Sequence, residues 1–269
     1  MSFVPIEPPL WPAGHRAALC LTFDVDGMYG EANYRRPDET YWISQTAYDG
    51  IGVRRIMNIL ADTGIAATFC WVGRVAEDEP ELVKRAIADG HEIAIHSWDH
   101  RYYNQMSDAE QRFDMERSLE TIERITDIRP VGHKTAGWRF NETTHALVQE
   151  LGLIWVMDVP GSDLPQLSRP NPELKQVVQL APSWLWDDYN FFFDRNMTAD
   201  QAFISWRDDL DVLRDEGGLM SLTCHPFVSG RPGPSRAIAR LIDYAIDLGD
   251  VWIARADHIA RWWLERGEA

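Results

Sequence analysis

Short apolar, β-prone runs alternate with amphipathic segments long enough for helices along nearly the whole chain, and that order constrains the fold more than any other feature. AALCLTF (17–23) precedes GVRRIMNILADTG, and AATFCWV (66–72) precedes PELVKRAIADG. EIAIH comes before the acidic segment SDAEQRFDMERSLETIERITD, where Ser107 stands at the N-cap position and can accept from the free N–H groups of a first helical turn. VGHKTAGW leads to NETTHALVQELG, with Asn141 as cap and Gly152 as terminator. Further strand-like runs are LIWVMD, KQVVQLAP, LMSLTCHP and VWIARA, with ADQAFISWRDDLDVLRDEG, SRAIARLIDYAIDLG and ADHIARWWLERG as helices between or after them. Strands joined by helical crossovers pair in parallel. The expected class is therefore α/β, and at 269 residues a distorted (β/α) barrel, closed or nearly so, is favoured over an open doubly wound sheet. No repeat, low-complexity tract or linker divides the chain, so one domain over residues 1–269 is expected.

A formal charge of -16 and a pI near 4.8 argue against a nucleic-acid or anionic-membrane partner, because either needs a basic footprint. Cys20, Cys70 and Cys224 are scattered and show no CxxC spacing, so neither a disulfide framework nor a thiolate zinc site is suggested. The opening MSFVPIEPPLWPAGHR has no basic region followed by an apolar run, and no stretch approaches the ~20 apolar residues of a membrane span. A cytoplasmic location is the expectation.

Candidate polar groups fall at the ends of the predicted strands. His96 and His100 in HSWDH have metal-ligand spacing; on one helical turn, residues four apart face the same way and can reach one divalent ion. Asp24 and Asp26 in TFDVDG lie two apart, so both point to one face while the strand continues. Neighbouring carboxylates repel unless a cation lies beside them, although a solvated or calcium-like acidic turn is the plainer reading. His225 in LTCHP ends a late strand. In a barrel, such positions converge on the C-terminal rim, where chemistry sits. Segment 27–48 is long for a βα connection and has the make-up of a lid, with Arg35 and Arg36 free to meet a carboxylate or to pair with nearby acids. His91, His133 and His145 are expected to be capping, packing or surface residues, and no activating partner is visible for a Cys224 nucleophile. Trp184, Trp186, Tyr189 and Phe191 to Phe193 suit a core, a pocket wall or an interface.

Taken together, these segments resemble the motifs of the polysaccharide deacetylase superfamily, the NodB homology fold. TFDVDG is similar to the first motif, which implies Asp24 as general base and Asp26 as metal ligand. HSWDH matches the second, His-Ser/Thr-x-x-His, which implies His96 and His100 as ligands. GHKTAGWRFNE (132–142) stands where the third belongs, and LTCHP matches the last, implying His225 as the catalytic acid. Two departures stand out. Val25 separates the aspartates, as in the branch containing intracellular peptidoglycan deacetylase-like proteins, allantoinases and cyclic imide hydrolases. Lys134 and Ala136 replace the usual Arg and Pro of the third motif, so a single ammonium, without a planar fork, would orient Asp24.

The resemblance implies a metal-dependent hydrolase of a carbon–nitrogen bond other than a peptide bond, with one divalent ion. Zinc is expected, although cobalt, manganese or iron fit the same ligands. It further implies an oxyanion-binding N–H near Gly137, Asp187 or Asp188 as a carboxylate orienting His225, and a homo-oligomer with residues 184–193 as candidate interface. The expected substrate is a small cytoplasmic amide, cyclic imide or ureide. The alternatives are an N-acetylated sugar or peptidoglycan-type substrate, and a catalytically impaired metal- or carbohydrate-binding protein.

Overall fold

The computed structural model describes residues 11–267. The expectations placed on residues 1–10 lie outside this range. Nine strands form one sheet: β1 Ala17–Val25, β2 Thr68–Trp71, β3 Glu92–Ile95, β4 Gly132–His133, β5 Trp155–Val156, β6 Gln166–Ser168, β7 Val177–Gln179, β8 Leu219–Cys224 and β9 Val251–Ile253. The order is β6-β7-β5-β4-β3-β2-β1-β8, with β9 paired to the first residues of β1. The sheet curls into a distorted half-barrel, as the strand–helix alternation predicts. Every pairing is parallel except β6 with β7. That antiparallel edge was not foreseen, because QLS is short and largely exposed and so lacks an apolar signal. Beyond β8 a single bridge, Thr223 to Asp187 in the segment that precedes the Ala199–Glu216 helix, carries on the ladder.

The two-residue period of the strands sorts the core into two layers. Leu19, Leu21, Phe23 and Val25 of β1 join Phe69, Trp71, Ile93 and Ile95 in the larger cluster, which also takes in Val53, Ile56 and Leu60 of the Asp49–Thr63 helix and Met115 and Leu119 of the Asp108–Thr126 helix. The alternate residues Ala18, Cys20, Cys70 and Ala94 face the other way. They pack with Trp155, Met157, Val178 and the C-terminal helix Ala256–Gly267. Small side chains here let the sheet curl tightly around this face. Farther along this inner face the residues become polar: Thr22, Asp24, Lys134 and Thr223 are all buried. Thus the parity that builds the core also aims Asp24 inward.

Helix ends follow the sequence signals. Ser107 and Glu110 form a reciprocal capping box, as do Asn141 and Thr144, and Gly152 takes a left-handed conformation just past its helix. No helix among the described residues is long and apolar enough to cross a membrane.

Candidate active site

Four strand ends deliver the site. Asp24 lies at the end of β1 and Asp26 just past it, His96 follows β3, Lys134 follows β4, and His225 follows β8. Four of these five line one cavity of about 490 Å³, and Lys134 lies behind Asp24.

Asp26, His96 and His100 offer ligand atoms that all lie within 4.8 Å of one another. His96 Nε2 is 3.5 Å from Asp26 Oδ1, and His100 Nε2 is 3.6 Å from Asp26 Oδ2. The Nδ1 of His96 meets the Lys134 carbonyl at 2.7 Å, so that nitrogen carries the proton and Nε2 keeps its lone pair. Burial lowers His96, and burial together with His225 brings His100 down to about 4. Both imidazoles are therefore neutral at physiological pH, the form that binds metal. Asp26 is pushed up to about 6 by burial, and its Oδ1 is buried with no hydrogen-bond partner. Two neutral imidazoles and an under-satisfied carboxylate make a donor set that fits a divalent ion.

The histidine pair is not on a helical turn. Ser97 and His100 both adopt left-handed backbone, at φ of 60° and 61°. The turn is held by Ser97 Oγ, which accepts from the His100 N–H at 2.8 Å, and by Asp114, which accepts from the Trp98 N–H at 2.8 Å. The two rings still converge, with centroids 5.1 Å apart. Gly30 leaves the room Asp26 needs, because a Cβ there would fall 2.8 Å from the Asp26 Cβ.

Asp24 is gripped from the other side. Lys134 Nζ lies 2.8 Å from Asp24 Oδ2 and donates to Thr223 Oγ1 at 2.9 Å. Burial raises the Asp24 carboxyl, but the Lys134 ammonium, with His96 and His225, outweighs it and leaves Asp24 at about 2. The same pairing more than offsets the burial that would lower Lys134. A single ammonium thus occupies the place expected of a planar fork, with two threonine hydroxyls fixing its direction.

His225 pairs with Asp188, not Asp187. Its Nδ1 is 2.7 Å from Asp188 Oδ1, while Asp188 Oδ2 accepts from the His225 N–H at 2.8 Å and from Ser229. Burial disfavours the imidazolium, yet Asp188 overrides it and holds His225 well above its ordinary pKa. Asp187 lines the cavity instead, with Oδ1 accepting from the Tyr189 N–H at 2.8 Å. The Pro226 carbonyl beside His225 is clamped against the Asp49–Thr63 helix at Gly52, where a Cβ would sit 2.0 Å away.

The 27–48 segment forms short helices, Tyr29–Ala32 and Thr40–Gln45, and reaches the cavity through Glu31, Tyr34 and Arg35. Arg35 pairs with Glu31 at 2.5 Å, and Arg36 stays outside with Asp38 and Glu39. Tyr34 stacks on Tyr102 with centroids 4.1 Å apart. The opposite wall is Gly137, Trp138 and Arg139. Trp138 sits at φ 54°, a conformation costing a bulky residue about 1–3 kcal/mol. Tyr34, Tyr102, Trp138 and Arg139 were not anticipated as site residues; the third-motif run contained two of them, but nothing in its spacing tells which side chains turn inward.

The remaining histidines do structural work. His91 is buried and accepts from the Ala67 N–H, His133 stacks on Tyr103, and His145 stacks on Phe140. All three cysteines are buried and free; burial holds the Cys224 thiol far above its usual range, which removes it as a nucleophile. Of the aromatic run, Trp186 and Phe191 are core, whereas Trp184 is 53% exposed.

The sequence matches the family described as polysaccharide deacetylase over residues 16–156, more than half of the chain. The chain belongs to the polysaccharide deacetylase family. A candidate polysaccharide deacetylase of known structure from Mycobacterium smegmatis superposes with a TM-score of 0.87 at 31% identity, over 97% of this chain and 94% of its own. A Puue allantoinase superposes with a TM-score of 0.85 at 26% identity, over 96% of this chain and 93% of its own. A peptidoglycan deacetylase-like protein of Gibberella zeae is 24% identical over 262 residues, or 81% of this chain and 77% of that protein. Members of this family are hydrolases of carbon–nitrogen bonds, and its deacetylases are metal-dependent.

Proposed function

We propose that this protein hydrolyses the carbon–nitrogen bond of a small amide, cyclic imide or ureide, using Asp24 as base, His225 as acid and one zinc ion held by Asp26, His96 and His100. The observation that carries this reading is the placement of two neutral imidazoles and an under-satisfied carboxylate between an ionised Asp24 and a protonated His225 in one cavity. A divalent ion bound there would supply a Lewis acid for the scissile carbonyl and ease deprotonation of water. Lys134 keeps Asp24 ionised and directs it. Asp24 takes a proton from the attacking water as its oxygen bonds to the carbonyl carbon. His225, kept protonated by Asp188, gives its proton to the nitrogen as the carbon–nitrogen bond breaks. Gly137, on the cavity wall, is the proposed source of an N–H for the developing oxyanion.

A small substrate is supported by the cavity volume, which falls in the range of small-molecule sites, and by the likeness to an allantoinase over nearly the whole chain. Work in the reducing cytoplasm is supported by three free cysteines. Self-association through Trp184 and Leu185, 53% and 41% exposed, is the proposed use of that patch; a monomer in solution scattering would remove it. The second reading, removal of an acetyl group from an N-acetylated sugar, is favoured by the family itself and by the Gibberella zeae relative.

The deciding experiment is a substrate panel on the zinc-loaded protein, followed by NMR with a chelated control. Chelator-sensitive ring opening of imides or ureides without acetate release supports the first reading. Acetate release from N-acetyl sugars replaces it with the second.

A further inference from the structure

The cations of the cavity are unequally committed. Lys134 is spent on Asp24 and Thr223, and Arg35 on Glu31. Arg139 is different: among the described residues it has no ion-pair partner, it is exposed, and its guanidinium lies 5.7 Å over the Tyr102 ring. That ring is itself braced by the stack with Tyr34, and the Arg139 carbonyl is fixed by the Asn104 N–H at 2.8 Å. Next to it, the Trp138 indole N–H is buried without a partner, although Trp138 lines the same cavity. One wall therefore presents a charged donor with no acceptor from the protein. The exposed guanidinium is met by water and can exchange that water for a ligand's acceptor, whereas the shielded indole N–H is the one buried donor left unpaired on this wall.

No cavity acid pairs with this charge: Asp24 is held by Lys134, Glu31 by Arg35, Asp26 belongs to the ligand set, and Asp187 accepts from the Tyr189 N–H. We propose that Arg139 binds a carboxylate on the substrate, so that the preferred amide, imide or ureide is an anion. This rests on the cavity being the reaction site proposed above. A guanidinium beside an aromatic face is suited to a carboxylate because its planar donors can meet both oxygens at once. The neutral Tyr34–Tyr102 stack would flank the flat body of such a substrate.

The test compares two probes of one shape, hydantoin-5-acetate and hydantoin-5-acetamide, on the zinc-loaded full chain, by calorimetric binding and by ring opening with a chelated control. Wild type is expected to bind the acid at least tenfold tighter than the amide. In Arg139→Gln that ratio falls to within twofold of unity, and Arg139→Lys restores part of it. Equal affinity for both probes in wild type, or a ratio unchanged in Arg139→Gln, overturns the anion site. Preference for the acid with no ring opening of either probe upholds the anion site while counting against ureide hydrolysis, so the two claims fail separately.

Discussion

Two buried carboxylates at opposite ends of the same sheet are treated in opposite ways. Glu92 opens β3 at the end of the barrel closed by the C-terminal helix. Its oxygens accept from Trp155 Nε1 and Thr68 Oγ1, each at 2.7 Å, and from the Asp257 N–H at 2.9 Å. Those three bonds join β2, β3, β5 and the start of the last helix. Asp26, past the far end of β1, is equally buried, yet keeps an oxygen with no protein partner and faces two imidazole lone pairs. Desolvating a carboxylate costs the same at either end. At Glu92 three donors of the chain fill the acceptor positions and tie the strands together, although burial still pushes its carboxyl up to about 7, whereas at Asp26 room is left for something the chain does not supply. The backbone repeats the contrast, since Ser97, His100 and Trp138 near the cavity all hold left-handed conformations. Interlocking hydrogen bonds are concentrated at one end and the candidate site at the other.

That contrast can be broken from either side. The largest effect is expected for His96→Ala, which removes a ligand: zinc content drops from one per chain, and activity falls by more than about 100-fold, beyond the loss typical of an outer hydrogen-bond partner. Its metal-free melting temperature should stay near that of metal-free wild type. Zinc retained at full stoichiometry would place the ion elsewhere.

Asp188→Asn acts through His225. Asp188 raises that imidazole above its ordinary value, so the acid stays protonated to alkaline pH, and the stabilisation from the pair is complete below about pH 6.5 and is lost as pH rises through the higher folded value. Removing the carboxylate should bring the basic limb of kcat/KM down toward neutrality. Above that limb each pH unit of displacement costs about tenfold in rate. A profile that does not move would mean that His225 is not the acid.

Glu92→Gln should do the reverse of His96→Ala. The new amide N–H₂ must face either Trp155 Nε1 or the Thr68 and Asp257 donors, leaving buried donors opposed for about 1–3 kcal/mol. At about 2–4 °C per kcal/mol for a chain near this size, the melting temperature falls by several degrees. Zinc content and kcat should hold, and a loss of zinc would show that the two ends are coupled.

Much of this arrangement is legible in the sequence because it follows from periodicity. The alternation of β1 puts Asp24 on the inner face with Ala18, Cys20 and Thr22, and the strand-end positions of Asp26, His96 and His225 follow from the parallel order. What escapes is whatever one residue of backbone decides. Four-residue spacing is the same in a helix and in the turn that carries His96 and His100, and only the hydrogen bonds to Ser97 and Asp114 distinguish them. Likewise Asp187 and Asp188 are alike in sequence, and the bridge that pairs Asp187 with Thr223 is what turns the next side chain toward His225. The Lys134 substitution looked like a weakened orienting group. Its length, its burial and the hydroxyls of Thr22 and Thr223 supply the direction that the missing fork would have given.

The most direct test is to measure zinc stoichiometry and turnover together in Asp24→Asn, on the best substrate from the panel. One zinc per chain with kcat reduced by about 10²–10⁴-fold is the expected result, because the base is removed and the ligands remain. Turnover within a few-fold of wild type, or loss of the zinc along with the activity, would contradict the division of labour between Asp24 and Asp26.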